Sequence, residues 1–186
     1  MPKGLKQSSS PIQISTSSTI ANDPIAAQFL SKRVDLQLNP LDNEVFVVTG
    51  VKIDFDNPLA AINATATGLF RVDQKASIST TEQTTYNGIN SPSVIAASQV
   101  DGQSLIDASL SHTYYTAMEQ NAMDAPPAAM EYLHVVATND FFVNFLVSEN
   151  YLAGQSFKIN VRVYGYRAVA DSSTYAALVQ SELLSA

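Results

Sequence analysis

LHVVATNDFFVNFLVS, residues 133–148, and SFKINVRVYGYRAVA, residues 156–170, decide the fold of this chain. In the first stretch Phe141, Val143 and Phe145 recur at every second position, and the second stretch alternates in the same way, which predicts extended strands. Much of the first stretch is apolar on both faces, which is typical of a strand that is covered on both sides. We therefore expect two long strands here, joined by a short turn.

The segment that follows, DSSTYAALVQSELLSA, has the pattern of a helix over residues 172–185. Asp171 or Ser172 is a suitable N-cap, because a short side-chain oxygen can accept a hydrogen bond from the first free backbone N–H groups. An apolar stripe at helical spacing consists of Tyr175, Leu178, Val179 and Leu183. The stripe covers either the domain's own sheet or a neighbouring subunit, so its four residues are candidates for subunit contacts.

Further strands are predicted upstream of these two. They are Arg33–Asn39, Glu44–Asp56, Ile62–Asp73 and Lys75–Thr85, with a shorter candidate at Val94–Val100 and a turn at Asn87 and Gly88. In Glu44–Asp56, strict alternation puts Val45 and Val47 on the same face as Val51, Ile53 and Phe55, with Phe46 and Val48 opposite. Gly50 stands where the second face changes from apolar to polar, which favours a bulge or bend there.

Two parts of the chain lack this strand pattern. Residues 1–31 are rich in Ser and Thr and read as a flexible N-terminal arm. Within the arm, Ile12 and Ile14 begin a β-branched run that could add a strand to a neighbouring sheet edge, which makes both residues subunit-contact candidates. Residues 101–130 read as an irregular insertion, in which 103–111 could form a short helix. The β-sandwich domain itself is expected to span residues 32–186.

Composition narrows the classes of function. Charged residues make up 15% of the chain, below the roughly 25% usual in soluble domains, and the net charge is −7 without a basic cluster. A folded surface that holds nucleic acid phosphates is therefore not expected. There is no cysteine, which excludes disulfides and thiolate metal sites. The N-terminus lacks the apolar run of a signal peptide, and no transmembrane segment is predicted.

No motif points to catalysis, so we expect no catalytic, cofactor-binding or metal residues and no enzyme activity. His112 and His134 are far apart in sequence and lack the spacing of metal ligands. Asp54 and Asp56 could join Glu44 or Asp42 in a calcium site between subunits, although a solvated strand face is the simpler interpretation. Five tyrosines could form a stacking surface for sugars or bases, or they could be packing or interface residues. They are Tyr114, Tyr115, Tyr132, Tyr164 and Tyr166.

Seven or eight strands with Asn, Pro and Gly turns, an arm and a terminal helix predict an all-β fold. The expected architecture is an antiparallel two-sheet sandwich, with a jelly roll as the leading topology. The arm and the irregular insertion would then lie at the margins of the sandwich.

As a pattern, the Ser/Thr-rich arm before Arg33, the strands from there to Ala170 and the low-charge surface resemble the small single jelly-roll coat proteins of icosahedral viruses. The resemblance implies a structural protein, made in the host cytoplasm, that self-assembles into a virion shell with copies of itself and with other virion proteins. Many such proteins carry an Arg-rich arm that binds the genome, whereas this arm has only Lys3 and Lys6. The alternative is a surface or extracellular β-sandwich that binds carbohydrate or a protein partner.

Overall fold

The computed structural model describes residues 4–21, 27–56, 68–107, 112–120, 130–150 and 156–184, and these contain ten strands and one α-helix. The strands are β1 Leu5–Gln7, β2 Ile12–Ala21, β3 Gln28–Asp35, β4 Glu44–Phe55, β5 Gly68–Ser79, β6 Val94–Asp107, β7 His112–Gln120, β8 His134–Val136, β9 Asp140–Asn150 and β10 Ser156–Ala170. Helix α1 spans Ser172–Leu184, and a 3₁₀ turn, Pro40–Asp42, precedes β4.

The strands form two antiparallel sheets. In the first sheet β1 and β2 pair in succession along one edge of β10, and β4 and then β8 follow on the other side. The second sheet has the order β3-β9-β5-β6-β7. Apolar side chains from both sheets meet in a main core that includes Phe46, Ile78, Phe141, Phe145 and Phe157. The expected all-β, two-sheet antiparallel sandwich with a C-terminal helix is therefore confirmed.

The stretch 133–148 is not one strand, so that prediction is wrong. It divides into β8, which pairs with β4 in the first sheet, and β9, which lies between β3 and β5 in the second. The corner between them is held by side chains: the amide oxygen of Asn139 accepts the Leu38 N–H at 2.6 Å. The expected hairpin with residues 156–170 is not formed either, because β9 and β10 belong to different sheets.

A bulge in β4 explains why that strand is apolar on both faces at its start. Gly50 pairs with Tyr164 and Val48 pairs with Gly165, which leaves Thr49 as an extra residue and confirms the bend expected at Gly50. The extra residue reverses the alternation. Phe46 and Val48 therefore join the main core with the later apolar residues of the strand, whereas Val45 and Val47 face the other side of the sheet.

Parts of the predicted N-terminal arm belong to the sandwich. Strand β2 pairs with β10 over ten residues, from Ile12 opposite Gly165 to Ala21 opposite Ser156, and Ile20 is buried in the main core. The long edge of β10 supplies backbone partners that the sequence of the arm alone does not reveal. The expected strand addition does occur, but within the same chain.

The predicted irregular insertion also contains strands. Strand β6 continues to Asp107 and pairs on one side with β5 and on the other with β7, so no helix forms over 103–107. Short apolar runs fit either helix or strand, and here the two neighbouring strands decide the outcome. Residues 108–111 and 121–129 lie outside the described part of the chain, as do 57–67, where the start of the predicted strand Ile62–Asp73 falls.

Candidate functional site

Helix α1 packs on its own chain. A second apolar cluster lies on the face of the first sheet that is turned away from the main core, and it contains Val45, Val47, Val135 and Ala168. Tyr175, Leu178 and Val179 pack against this cluster and are partly buried. Leu183 is not part of this contact and is 68% exposed, and its neighbour Leu184 is 79% exposed. Of the predicted stripe, therefore, three residues contact the domain's own sheet and one faces solvent.

The start of α1 is fixed by Asp171, which resolves the choice between the two predicted N-caps. Its Oδ1 accepts hydrogen bonds from the Ser173 hydroxyl at 2.7 Å and from the Thr174 N–H at 2.8 Å. These bonds, with the Ser173 hydroxyl first, hold the pKa of Asp171 below its usual value. The Asp171 N–H donates to the carbonyl of Gly4 at 3.0 Å, so β1 and the helix are joined at this point.

Near the end of α1, Glu182 attaches the helix to the corner between β8 and β9. Its side chain is 5% exposed, and its two oxygens accept the backbone N–H groups of Ala137 at 2.8 Å and Thr138 at 2.9 Å. Burial raises the pKa of Glu182 above its usual 4.5, because desolvation outweighs these hydrogen bonds. The carboxylate thus supplies acceptors for two backbone N–H groups that follow the end of β8.

A pH dependence of stability follows from Glu182. Because its folded-state pKa is raised, its contribution to stability is fully present below the unfolded-state value and is lost as the pH rises through the folded-state pKa. We expect the stability advantage of the wild type over Glu182→Gln to be largest near pH 4 and to shrink with rising pH. Denaturant unfolding of both proteins from pH 4 to 8 measures this, and an advantage that grows with pH would contradict it.

The other two contact candidates, Ile12 and Ile14, lie on β2 at the edge of the first sheet. Ile14 is partly buried against the main core, whereas Ile12 is 36% exposed. Among the described strands, β2 pairs with β10 alone, so its outer edge carries backbone groups without a strand partner. This edge and the end of α1 are therefore the surfaces on which candidate residues remain accessible.

One hollow in the described part of the chain was not predicted from the sequence. It is an open cleft of about 770 Å³ between the outer face of the second sheet and the connection from β5 to β6, residues Thr80–Ser93, which we call the 80–93 loop. Its lining consists of Phe29, Lys75, Thr84, Thr85, Tyr86, Gly88, Ile89, Asn90, Ala97, Ser98, Gln99 and Leu146.

The floor of the cleft is one row of cross-strand neighbours. Phe29 of β3 pairs with Leu146 of β9, Leu146 with Lys75 of β5, and Lys75 with Gln99 of β6. The adjacent row is polar, and in it the Asn144 side chain contacts the hydroxyls of Ser31 at 2.8 Å and Ser77 at 3.4 Å. Asn144 and Ser77 are fully buried although they lie on the outer face of the sheet.

Hydrogen bonds hold the 80–93 loop in place. Its two ends are joined by the Thr80 N–H, which donates to the carbonyl of Ser93 at 2.9 Å. Within the loop the Ser91 N–H donates to the Gly88 carbonyl at 3.0 Å, and the Gln83 side chain accepts the Asn87 N–H at 3.3 Å. The wall that carries Tyr86 and Ile89 is thus shaped by the loop itself.

The cleft is electrically balanced. Lys75 is the charged residue in its lining, and its Nζ lies 2.7 Å from Oδ2 of Asp73 in the neighbouring row. Burial, and to a lesser degree the Asp73 carboxylate, raises the pKa of Tyr86 above 10.0, so its hydroxyl stays protonated at neutral pH. A ligand would therefore meet hydroxyl, amide and apolar groups, with no uncompensated charge.

The residues considered for chemistry from the sequence do not converge. Burial lowers the pKa of His134, which keeps it neutral, and the described part of the chain holds no group of three His, Cys, Asp or Glu residues that could bind a metal. Glu44 begins β4 and accepts from Arg167 at 3.5 Å, whereas Asp54 is near the strand's far end beside Lys52 and Arg162. Within one chain Glu44 and Asp54 therefore lie at opposite ends of β4, and a calcium site between subunits stays a prediction.

Of the tyrosines considered as a stacking surface, three have side chains that the structure describes. Tyr132 and Tyr166 pack on the second apolar cluster under α1, and Tyr164 lies on β10 opposite Gly50. Tyr114 and Tyr115 are on β7, and their side chains are outside what the structure describes. Tyr86, which was not among these candidates, lines the cleft beside the 80–93 loop.

No protein-family model matches the chain, and neither does any curated protein. Among the described helices none is long and apolar enough to cross a membrane.

Proposed function

We propose that this protein is a structural protein that self-assembles into the shell of a viral capsid. The observation that carries the proposal is the pairing of the strands. With β1 and β7 set aside, eight strands form an antiparallel ribbon in which β2 pairs with β10, β3 with β9, β4 with β8 and β5 with β6. The four pairs lie alternately in the first and the second sheet. This arrangement supports a jelly-roll topology, which is widespread in capsid proteins.

The surface supplies a second argument, since a fold by itself does not fix a function. Only 15% of the residues are charged, and several large apolar side chains are exposed. They include Ile12, Leu30, Leu41, Ile89, Met130, Val169, Leu183 and Leu184. Contacts with further copies of the chain would remove such groups from water, at about 25 cal/mol per Å² of apolar area.

In this proposal the genome is held by another component of the virion. In the described N-terminal segment, residues 4–21, Lys6 is the one basic residue, and β1 and β2 pair with β10. Strong genome binding through released counterions needs many Lys or Arg contacts to phosphate. The partners expected are therefore copies of this chain and other virion proteins.

The mass of the native assembly tests the proposal. We expect purified protein to form particles of many copies, visible by electron microscopy and measurable by sedimentation. The experiment is repeated over a range of salt and calcium concentrations, because coat proteins assemble under different conditions. A protein that stays monomeric at high concentration in all of them would contradict the proposal.

Two substitutions in α1 separate assembly from folding. Leu178→Asp places a charge on the second apolar cluster, so we expect it to lower the free energy of unfolding by about 2–4 kcal/mol. Leu183→Asp changes a residue that is 68% exposed, so we expect a stability within about 0.5 kcal/mol of the wild type but a lower yield of particles. Denaturant unfolding and particle counts measure the two effects. Normal particle yield from Leu183→Asp would exclude the end of α1 as a contact.

A further inference from the structure

We propose that the cleft between the second sheet and the 80–93 loop binds a neutral oligosaccharide. At about 770 Å³ the cleft lies within the range of about 300–1,000 Å³ that is usual for small-molecule sites. This proposal is independent of assembly, since the lining comes from a single chain and a monomer would carry the complete site.

The charges of the lining argue for a neutral ligand. Lys75 is paired with Asp73 at 2.7 Å, and the Tyr86 hydroxyl carries no charge. An anionic ligand would have to compete with Asp73 for the lysine, and a cationic ligand would find no carboxylate in the lining. Taking either charge out of water would therefore cost free energy without a compensating ion pair.

The distribution of polar and apolar groups argues for a sugar. A sugar ring has an apolar C–H face and a rim of hydroxyl groups that both donate and accept hydrogen bonds. The floor row offers the apolar side chains of Phe29 and Leu146, with Ala97 beside it in the adjacent row, and the floor and walls also offer groups that donate and accept. Those groups are Thr84, Thr85, Tyr86, Asn90 and Gln99. A purely apolar ligand would leave these groups unpaired, at about 1–3 kcal/mol for each buried one.

The site is also largely formed before a ligand arrives. The floor is a single row across four paired strands, from Phe29 on β3 to Gln99 on β6. The 80–93 loop is closed by the bond between Thr80 and Ser93 and braced by Gln83. Because little ordering is needed on binding, weak individual contacts can add up to a measurable affinity.

The test uses an array of immobilised neutral and sialylated oligosaccharides, followed by titration of the strongest neutral one with the soluble protein. We expect binding to neutral members, and a Kd at least about tenfold higher in Gln99→Ala, which removes an amide from the floor. Thr85→Ala changes an exposed loop residue and should weaken binding without affecting the fold. Ala97→Phe should abolish binding because the larger ring fills the cleft.

Tyr164→Ala is the control. Like Gln99, Tyr164 is half-buried, but it lies on β10 in the other sheet. Its Kd should stay within about twofold of the wild type. Three results would each overturn the proposal: no neutral oligosaccharide is bound, only sialylated ones are bound, or Tyr164→Ala weakens binding as much as Gln99→Ala does. Particle formation plays no part in the readout, so failure of the capsid proposal and failure of this one are distinguishable.

Discussion

Gly165→Ala is expected to destabilise the protein by at least about 3 kcal/mol, or to prevent folding. Gly165 lies on β10 at the bulge, where it pairs with Val48 of β4. A Cβ atom there would overlap the carbonyl oxygen of Val47 and approach Cζ of Phe46 to 2.6 Å. To remove this overlap the two strands would have to move apart, since the Val47 oxygen belongs to the backbone. Denaturant unfolding measures the change.

Gly88→Ala is the matched control for this substitution. A Cβ atom at Gly88 would have Asn90 Oδ1 as its nearest neighbour at 3.5 Å, which is an ordinary van der Waals contact. The control should therefore lie within about 1 kcal/mol of the wild type, with the reduced entropy of the unfolded chain as its main effect. Equal stabilities for the two variants would show that β4 and β10 are not packed as closely as described.

The class of the fold follows from the sequence because alternation with a period of two is a local property of each strand. In β4, however, the face on which each residue lies also depends on the partner strand. Thr49 is the extra residue at the bulge beside Gly165, where a Cβ atom would meet the Val47 carbonyl, and the insertion exchanges the faces of Phe46 and Val45. Gly50 marked the position of the irregularity, but its consequence for the core depended on the partner strand.

The division of 133–148 into β8 and β9 could not be read from its apolar pattern. Two consecutive apolar strands look like one when the corner between them is short. The N–H groups at the corner are satisfied by Glu182, 45 residues away from Ala137, and such a partner appears only after the chain has folded. Asn139 was the local signal, since a polar residue in an apolar run is unusual in a strand that is covered on both sides.

The cleft is harder still to foresee, because its floor combines four strands from three separate parts of the sequence. The register Phe29, Leu146, Lys75 and Gln99 is set by pairing across the second sheet. The residues of the 80–93 loop were interpreted partly as a strand and partly as a turn. The signal in the sequence was that this connection is longer than the two to five residues, roughly, of a tight hairpin, since long connections often carry function.

Gln74→Met is expected to stabilise the protein by about 1–3 kcal/mol. Gln74 points into the main core, where it pairs across the sheet with Val147 and Val100 and is 0% exposed. Neither its amide nitrogen nor its amide oxygen has a hydrogen-bond partner among the described residues. The desolvation of both groups is therefore uncompensated. Methionine has a similar length and volume, so the substitution removes this cost without opening a cavity.

Denaturant unfolding of Gln74→Met and of the control Gln180→Met distinguishes a core effect from a general effect of methionine. Gln180 is exposed on α1, so its substitution should change the free energy of unfolding by no more than about 0.5 kcal/mol. A Gln74→Met protein less stable than the wild type would mean that the amide is satisfied in solution, for example by an enclosed water molecule. Natural proteins seldom keep an unpaired amide in an apolar core without a use for it, so a gain in stability would direct attention to a role of Gln74 other than packing.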